Sequence, residues 1–115
     1  MKQKLLKPSL REKKRYLVYG VISDTGMNYN NIKENILKTF KEYFGNIILS
    51  KADMRFIEFK DNKGIIRINN KYLDHLRATF CLLGKVNKEE IIVRSLGVSG
   101  MINKARSKFM NGGVS

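Results

Sequence analysis

The stretch Arg15-Tyr16-Leu17-Val18-Tyr19-Gly20-Val21-Ile22-Ser23 decides the fold. Its apolar residues fall on both alternating faces, so a strand here is covered on both sides and lies in the middle of a sheet. After it, Asp24, Thr25 and Gly26 make a turn. Asn28, Asn30 or Asn31 caps a helix whose apolar positions Ile32, Ile36, Leu37, Phe40 and Phe44 form a helical stripe, and Gly45 stops that helix. Asn46 to Ser50 and Met54 to Lys60 then read as pieces of a second strand, interrupted around Lys51, Ala52 and Asp53. Asp61-Asn62-Lys63-Gly64 is a hairpin turn into a third strand, Ile65 to Asn69.

A second helix spans about Asn70 to Leu83, with Leu73, Leu76, Phe80 and Leu83 on one face and Gly84 closing it. Ile91 to Leu96 is a fourth strand. Gly97-Val98-Ser99-Gly100 reads as the opening of a last helix, Met101 to about Met110. The order strand, helix, strand, strand, helix, strand is the split β-α-β pattern of ferredoxin-like and RNA-recognition folds. The expected class is α+β: a four-stranded antiparallel sheet with helices on one face and an extra C-terminal helix. Residues 1–14 read as a basic, flexible arm, 15–110 as the domain and 111–115 as a frayed tail.

Charge points to the partner. The 115 residues carry 23 Lys and Arg against 10 Asp and Glu, a formal charge of +13, which favours a polyanion. The excess sits at the ends: residues 1–15 hold seven basic residues and one acid, and from Ile91 onward there are four basic residues and no acid. Apolar runs such as Tyr16 to Ile22 are too short to span a bilayer, so a cytoplasmic protein without a membrane partner is expected. One cysteine, Cys81, and one histidine, His75, provide neither a disulfide nor the usual zinc ligands.

Catalytic chemistry needs groups that converge, and the carboxylates do not. Asp53, Glu58 and Asp61 lie in or beside one hairpin, Glu89-Glu90 is a turn pair, and no carboxylate stands at helical spacing from His75. Cys81, between Phe80 and Leu82, reads as a small buried hydrophobe. No phosphate-binding Gly-Lys-Ser loop occurs. Lys63-Gly64 opens the third strand as in RNA-recognition motifs, but isoleucines replace the stacking aromatics. If Ile57, Phe59, Ile66 and Ile68 face the helices, then Phe56, Ile65 and Arg67 occupy the other sheet face, where they suit a protein partner unless the last helix covers them. Ser99 and Gly100, with Arg94 before them and Lys104, Arg106 and Lys108 after, read as a phosphate site at a helix start.

Three blocks carry a resemblance: Ser9-Leu10-Arg11-Glu12-Lys13-Lys14-Arg15-Tyr16-Leu17; Gly64-Ile65-Ile66-Arg67-Ile68-Asn69 with Tyr72 and Arg77; and Arg94-Ser95-Leu96-Gly97-Val98-Ser99-Gly100. In this order and spacing they resemble archaeal ribonuclease P protein component 2. The resemblance implies a subunit of the particle that removes 5′ leaders from precursor tRNA, with the hydrolysis done by the ribonuclease P RNA and its Mg2+ ions. No cofactor bound by the chain itself and no catalytic residue are then expected. It also implies a TIM-barrel-like partner, protein component 3, beside other subunits. RNA contact is carried onto Lys13, Lys14, Arg15, Arg67, Arg94, Lys104, Arg106 and Lys108. The competing expectation from the fold alone is a ferredoxin-like ligand-sensing or protein-interaction module.

Overall fold

A computed structural model describes residues 13–23, 28–83, 85, 86 and 89–110. The elements are β1 (Lys14–Ser23), α1 (Tyr29–Ala52), β2 (Arg55–Lys60), β3 (Lys63–Asn69), a 3-10 turn (Asn70–Tyr72), α2 (Leu73–Leu82), a two-residue edge strand β4 (Lys85–Val86), β5 (Glu89–Ser99) and α3 (Ile102–Ala105), which runs on as a π turn (Arg106–Met110). The sheet order is β2-β3-β1-β5-β4, with every neighbour antiparallel. The expected split β-α-β sheet is therefore present, and β1 is central. Leu17, Val18 and Tyr19 are fully buried, as their two-sided apolar pattern requires. The expected arm lies outside the described residues through Glu12.

α1 and α2 cover one face. Leu17, Tyr19 and Val21 of β1, Ile66 and Ile68 of β3, and Ile91 and Val93 of β5 pack there against Ile32, Ile36 and Phe40 of α1 and Leu76 and Phe80 of α2. Tyr19 lies between Phe59 and Phe80, at ring separations of 6.2 and 5.8 Å. Gly64, its cross-strand neighbour, makes room: a Cβ there would stand 2.4 Å from the tyrosine hydroxyl. That hydroxyl is buried without a hydrogen-bond partner among the described residues, and burial, then the nearby Tyr29, pushes its pKa far above the ordinary value. An unpaired buried donor costs about 1–3 kcal/mol. Tyr19→Phe is thus expected to raise the thermal midpoint by roughly 4–12 °C, and a lowered midpoint in calorimetry would show that the hydroxyl is needed.

The opposite face is covered in its middle by α3 and its π turn. Ala105, Phe109 and Met110 pack over Val18, Ile65, Tyr16, Ile57 and Leu96. Gly97 lies under this contact, since a Cβ there would meet the Phe109 ring at 2.2 Å.

Three expectations are corrected. Asn46 to Ser50 is helix, not strand: Gly45 does leave helical geometry (φ 89°, ψ 166°), but α1 resumes after it. Ile48 and Leu49 pack against the core and Ala52 is fully buried, a short apolar run that periodicity alone does not distinguish from a strand. The helix ends at Asp53 in the left-handed region (φ 49°), whose amide donates to the Ser50 carbonyl. A hydrogen bond from Lys14 (3.0 Å) and its charge, with Arg55 at 3.5 Å, hold the Asp53 carboxyl below the usual carboxylate range. Second, a bulge between Phe56 and Glu58 puts Phe56 as well as Phe59 on the helix side and Ile57 on the other, the reverse of strict alternation. Third, β5 does not stop at Leu96. Gly97, Val98 and Ser99 pair with Val18, Leu17 and Tyr16 after a bulge, so this segment is strand and not the opening of a helix.

Candidate nucleic-acid interface

The face that carries α3 also carries two cross-strand rows of polar and basic residues. In the first, Arg55, Arg67, Tyr16 and Ser99 stand side by side across β2, β3, β1 and β5. Arg55 and Arg67 are directly opposite each other, and like charges in that position repel. Asp53 offsets only Arg55. Arg67 is half-buried, and its Nε has no hydrogen-bond partner among the described residues. Two arginines on directly opposed strand positions, only one of them offset by a carboxylate, suit an oxyanion such as phosphate.

The second row is Lys63, Gly20 and Arg94, across β3, β1 and β5. Lys63 donates to the Phe109 carbonyl at 3.4 Å, and Arg94 is exposed.

The residues expected to touch RNA distribute as follows. Lys13 is exposed, but Lys14 is engaged with Asp53. Arg15 donates to the Lys14 carbonyl at 3.1 Å, and its guanidinium passes Gly100, where a Cβ would lie 3.5 Å from Nη1. Ser99 ends β5, and its hydroxyl accepts from the Met101 amide at 3.1 Å, tying the strand end to the turn before α3. Lys104 and Lys108 are exposed on α3 and its π turn, whereas Arg106 pairs with Glu58 at 2.8 Å and clamps α3 to the sheet. Arg67 and Arg94 are brought onto one face, about four residues apart along the strands.

The expected protein-partner face of Phe56, Ile65 and Arg67 is not formed. Phe56 packs on the helix side beneath Lys33, whose ammonium is 5.5 Å from the ring centre, and Ile65 is fully buried under α3. Arg67 alone remains at the surface. His75 packs its ring against Phe44 (4.7 Å) and Tyr72 (5.3 Å), a boundary position. Cys81, expected to be buried, is exposed because it falls on the outer side of α2. Among the described residues, no three His, Cys, Asp or Glu side chains gather where they could hold a metal ion.

Sequence reasoning passed over Arg55, because its place opposite Arg67 depends on the bulge in β2. It also passed over Tyr43 and Ile47, on either side of the Gly45 break in α1 and 59% and 71% exposed. For Tyr43 a signal existed, since it lies off the Ile32, Ile36 and Phe40 stripe; Ile47 stands beyond the break at Gly45, where that stripe no longer sets the face.

The sequence model described as the Rpp14/Pop5 family matches residues 15–110, nearly the whole described domain. The chain belongs to the Rpp14/Pop5 family. Ribonuclease P protein component 2 of Pyrococcus abyssi is 34% identical over 96% of this chain and 96% of its own length. The proteins of that name from Pyrococcus horikoshii (35%; 95% of this chain and 92% of the relative) and Methanosarcina mazei (33%; 93% and 92%) are similarly related. A chain in the cryo-EM structure of yeast ribonuclease MRP has the same fold, with a TM-score of 0.66 over 84% of this chain and 79% of that chain, at 16% identity. The Rpp14/Pop5 match ends at Met110, so the family region includes α3 and its π turn, and with them the cover over Val18 and Ile65.

Proposed function

We propose that this chain is a protein subunit of ribonuclease P that binds the particle's RNA and supports removal of the 5′ leader from precursor tRNA. The hydrolysis belongs to the RNA and the Mg2+ ions it holds, and the chain supplies neither a catalytic residue nor a metal ligand. Membership of the Rpp14/Pop5 family and the similarity to archaeal component 2 support the particle. The observation in the molecule that carries the RNA-binding role is the Arg55 and Arg67 pair, directly opposed in the strand register, with the Arg67 Nε unpartnered among the described residues. Basic side chains on such a face displace counterions from the RNA and let its helices approach. The work is cytoplasmic and needs no membrane; no described helix is long and apolar enough to cross one.

Protein component 3 is the proposed protein partner. With Ile65 covered and Phe56 turned inward, the exposed Tyr43 and Ile47 on α1 offer the apolar contact instead. The experiment is reconstitution from the particle's RNA, component 3 and this chain, with precursor tRNA as substrate at limiting Mg2+. Omitting the chain is expected to slow leader removal at least tenfold, and Tyr43→Ser with Ile47→Ser to remove the gain that depends on component 3 while RNA binding by the chain alone is kept. Leader removal at an unchanged rate without the chain would refute the function.

A further inference from the structure

Contact with an RNA backbone leaves one feature of the basic face unused. In the row Lys63, Gly20, Arg94 the middle residue has no side chain, so two cations flank a gap. The strands carrying them are about 10 Å apart across β1. Leu96, displaced at the β5 bulge, leans into the gap, with side-chain atoms 3.2–3.6 Å from where a Gly20 Cβ would be. The next row on this face is the pair Ile22 and Ile92, 52% and 59% exposed and outside the group of residues packed under α3. The turn at Asp61 and Asn62 closes the remaining side. Both residues adopt left-handed backbone (φ 53° and 62°), and the Asn62 carbonyl is fixed over β1 by the Val21 amide at 2.8 Å. These walls, with Ile92 just beyond them as the partner of Ile22, bound an open hollow of about 180 Å3.

We propose that this hollow receives one unpaired nucleobase of the bound RNA. A base is a flat group that needs an apolar support for its face and polar groups at its edge. Gly20, Leu96 and Ile22 form the support, the Asp61 carboxylate and Asn62 amide stand at the edge, and the Arg94 guanidinium stacks on or bonds to the base. Lys63, held by the Phe109 carbonyl at 3.4 Å, adds its positive charge beside the base. Arg94 has no ion-pair partner among the described residues, which leaves it available. An apolar peptide side chain would also sit on Ile22 and Ile92, but two cations against one exposed carboxylate at the rim favour a polyanion. The proposal rests on the reading of the chain as an RNA-binding subunit and adds a recognition element to it.

The test uses three RNA hairpins: one fully paired, one with a single bulged uridine, and one with an abasic ribose in the bulge. The full chain is expected to bind the uridine bulge roughly five- to tenfold more tightly than the other two, within the range of one stacked base. Ile22→Ser with Ile92→Ser should erase that preference and leave the affinity for the paired hairpin, with its salt dependence, unchanged. If the double variant does not fold, photocrosslinking of a 4-thiouridine bulge to the unaltered chain should label the peptides that contain Ile22, Lys63 or Arg94. Equal affinity for all three hairpins, or crosslinks only to other peptides, would overturn the base site and leave RNA binding standing. Loss of a self-associated species in the serine variant, with the bulge preference kept, would assign the hollow to protein contact and also overturn it. A chain that retains no hairpin at moderate salt would overturn both readings.

Discussion

Arg55→Ala combined with Arg67→Met is expected to weaken binding to the particle's RNA by roughly ten- to a hundredfold and to flatten its salt dependence, while the free chain keeps its thermal midpoint. Each guanidinium that meets a phosphate contributes a charge-assisted hydrogen bond, worth on the order of 1.5–3 kcal/mol. Part of this is offset in solution by the Arg55 contact to Asp53. Losing two phosphate contacts should lower the slope of log affinity against log salt by about 1.4–1.8. Stability should not follow affinity. Methionine preserves the half-buried stem of Arg67, removes an Nε that has no partner among the described residues, and ends the repulsion across β2 and β3. Binding titrations at several salt concentrations, paired with calorimetry of the free chain, decide the matter. An unchanged slope would mean that these two side chains meet no phosphate.

Gly97→Ala should destabilise the chain by about 3 kcal/mol, although glycine to alanine within a strand is ordinarily mild or favourable. The reason is the Phe109 ring, which a Cβ would meet at 2.2 Å. The ring must leave, and with it goes the cover over Val18 and Ile65, both fully buried beneath α3. Exposing one such side chain costs roughly 1.5–3 kcal/mol. RNA affinity should fall as well, because the displaced segment carries Lys104 and Lys108. Gly100→Ala is the control: the nearest atom to its Cβ is 3.5 Å away, at the flexible end of Arg15, so the midpoint should hardly move. Equal midpoints for the two variants in thermal unfolding would show that α3 does not depend on Gly97.

The doubly apolar run from Tyr16 to Ile22, the helical stripe from Ile32 to Phe40 and the Asp61-Asn62 turn specify the split β-α-β sheet through local periodicity and turn chemistry, which act over a few residues. Net charge identified a polyanion as the partner, because charge is a property of composition. Three things were decided only by tertiary structure. The bulge in β2 reversed Phe56 and Ile57, since one extra residue in a strand exchanges its faces and the partner strand determines where that residue goes. The pairing of Gly97 to Ser99 with β1 made strand of a segment whose glycines read as a helix entrance, because a ladder partner satisfies the backbone groups that the glycines leave free. And α3, by lying on the sheet, divided the basic face into the Arg55 and Arg67 row and the hollow at Gly20. Both candidate sites are assembled from residues 12 to 83 positions apart in the chain, and such proximity is a matter of register between strands that no local pattern records.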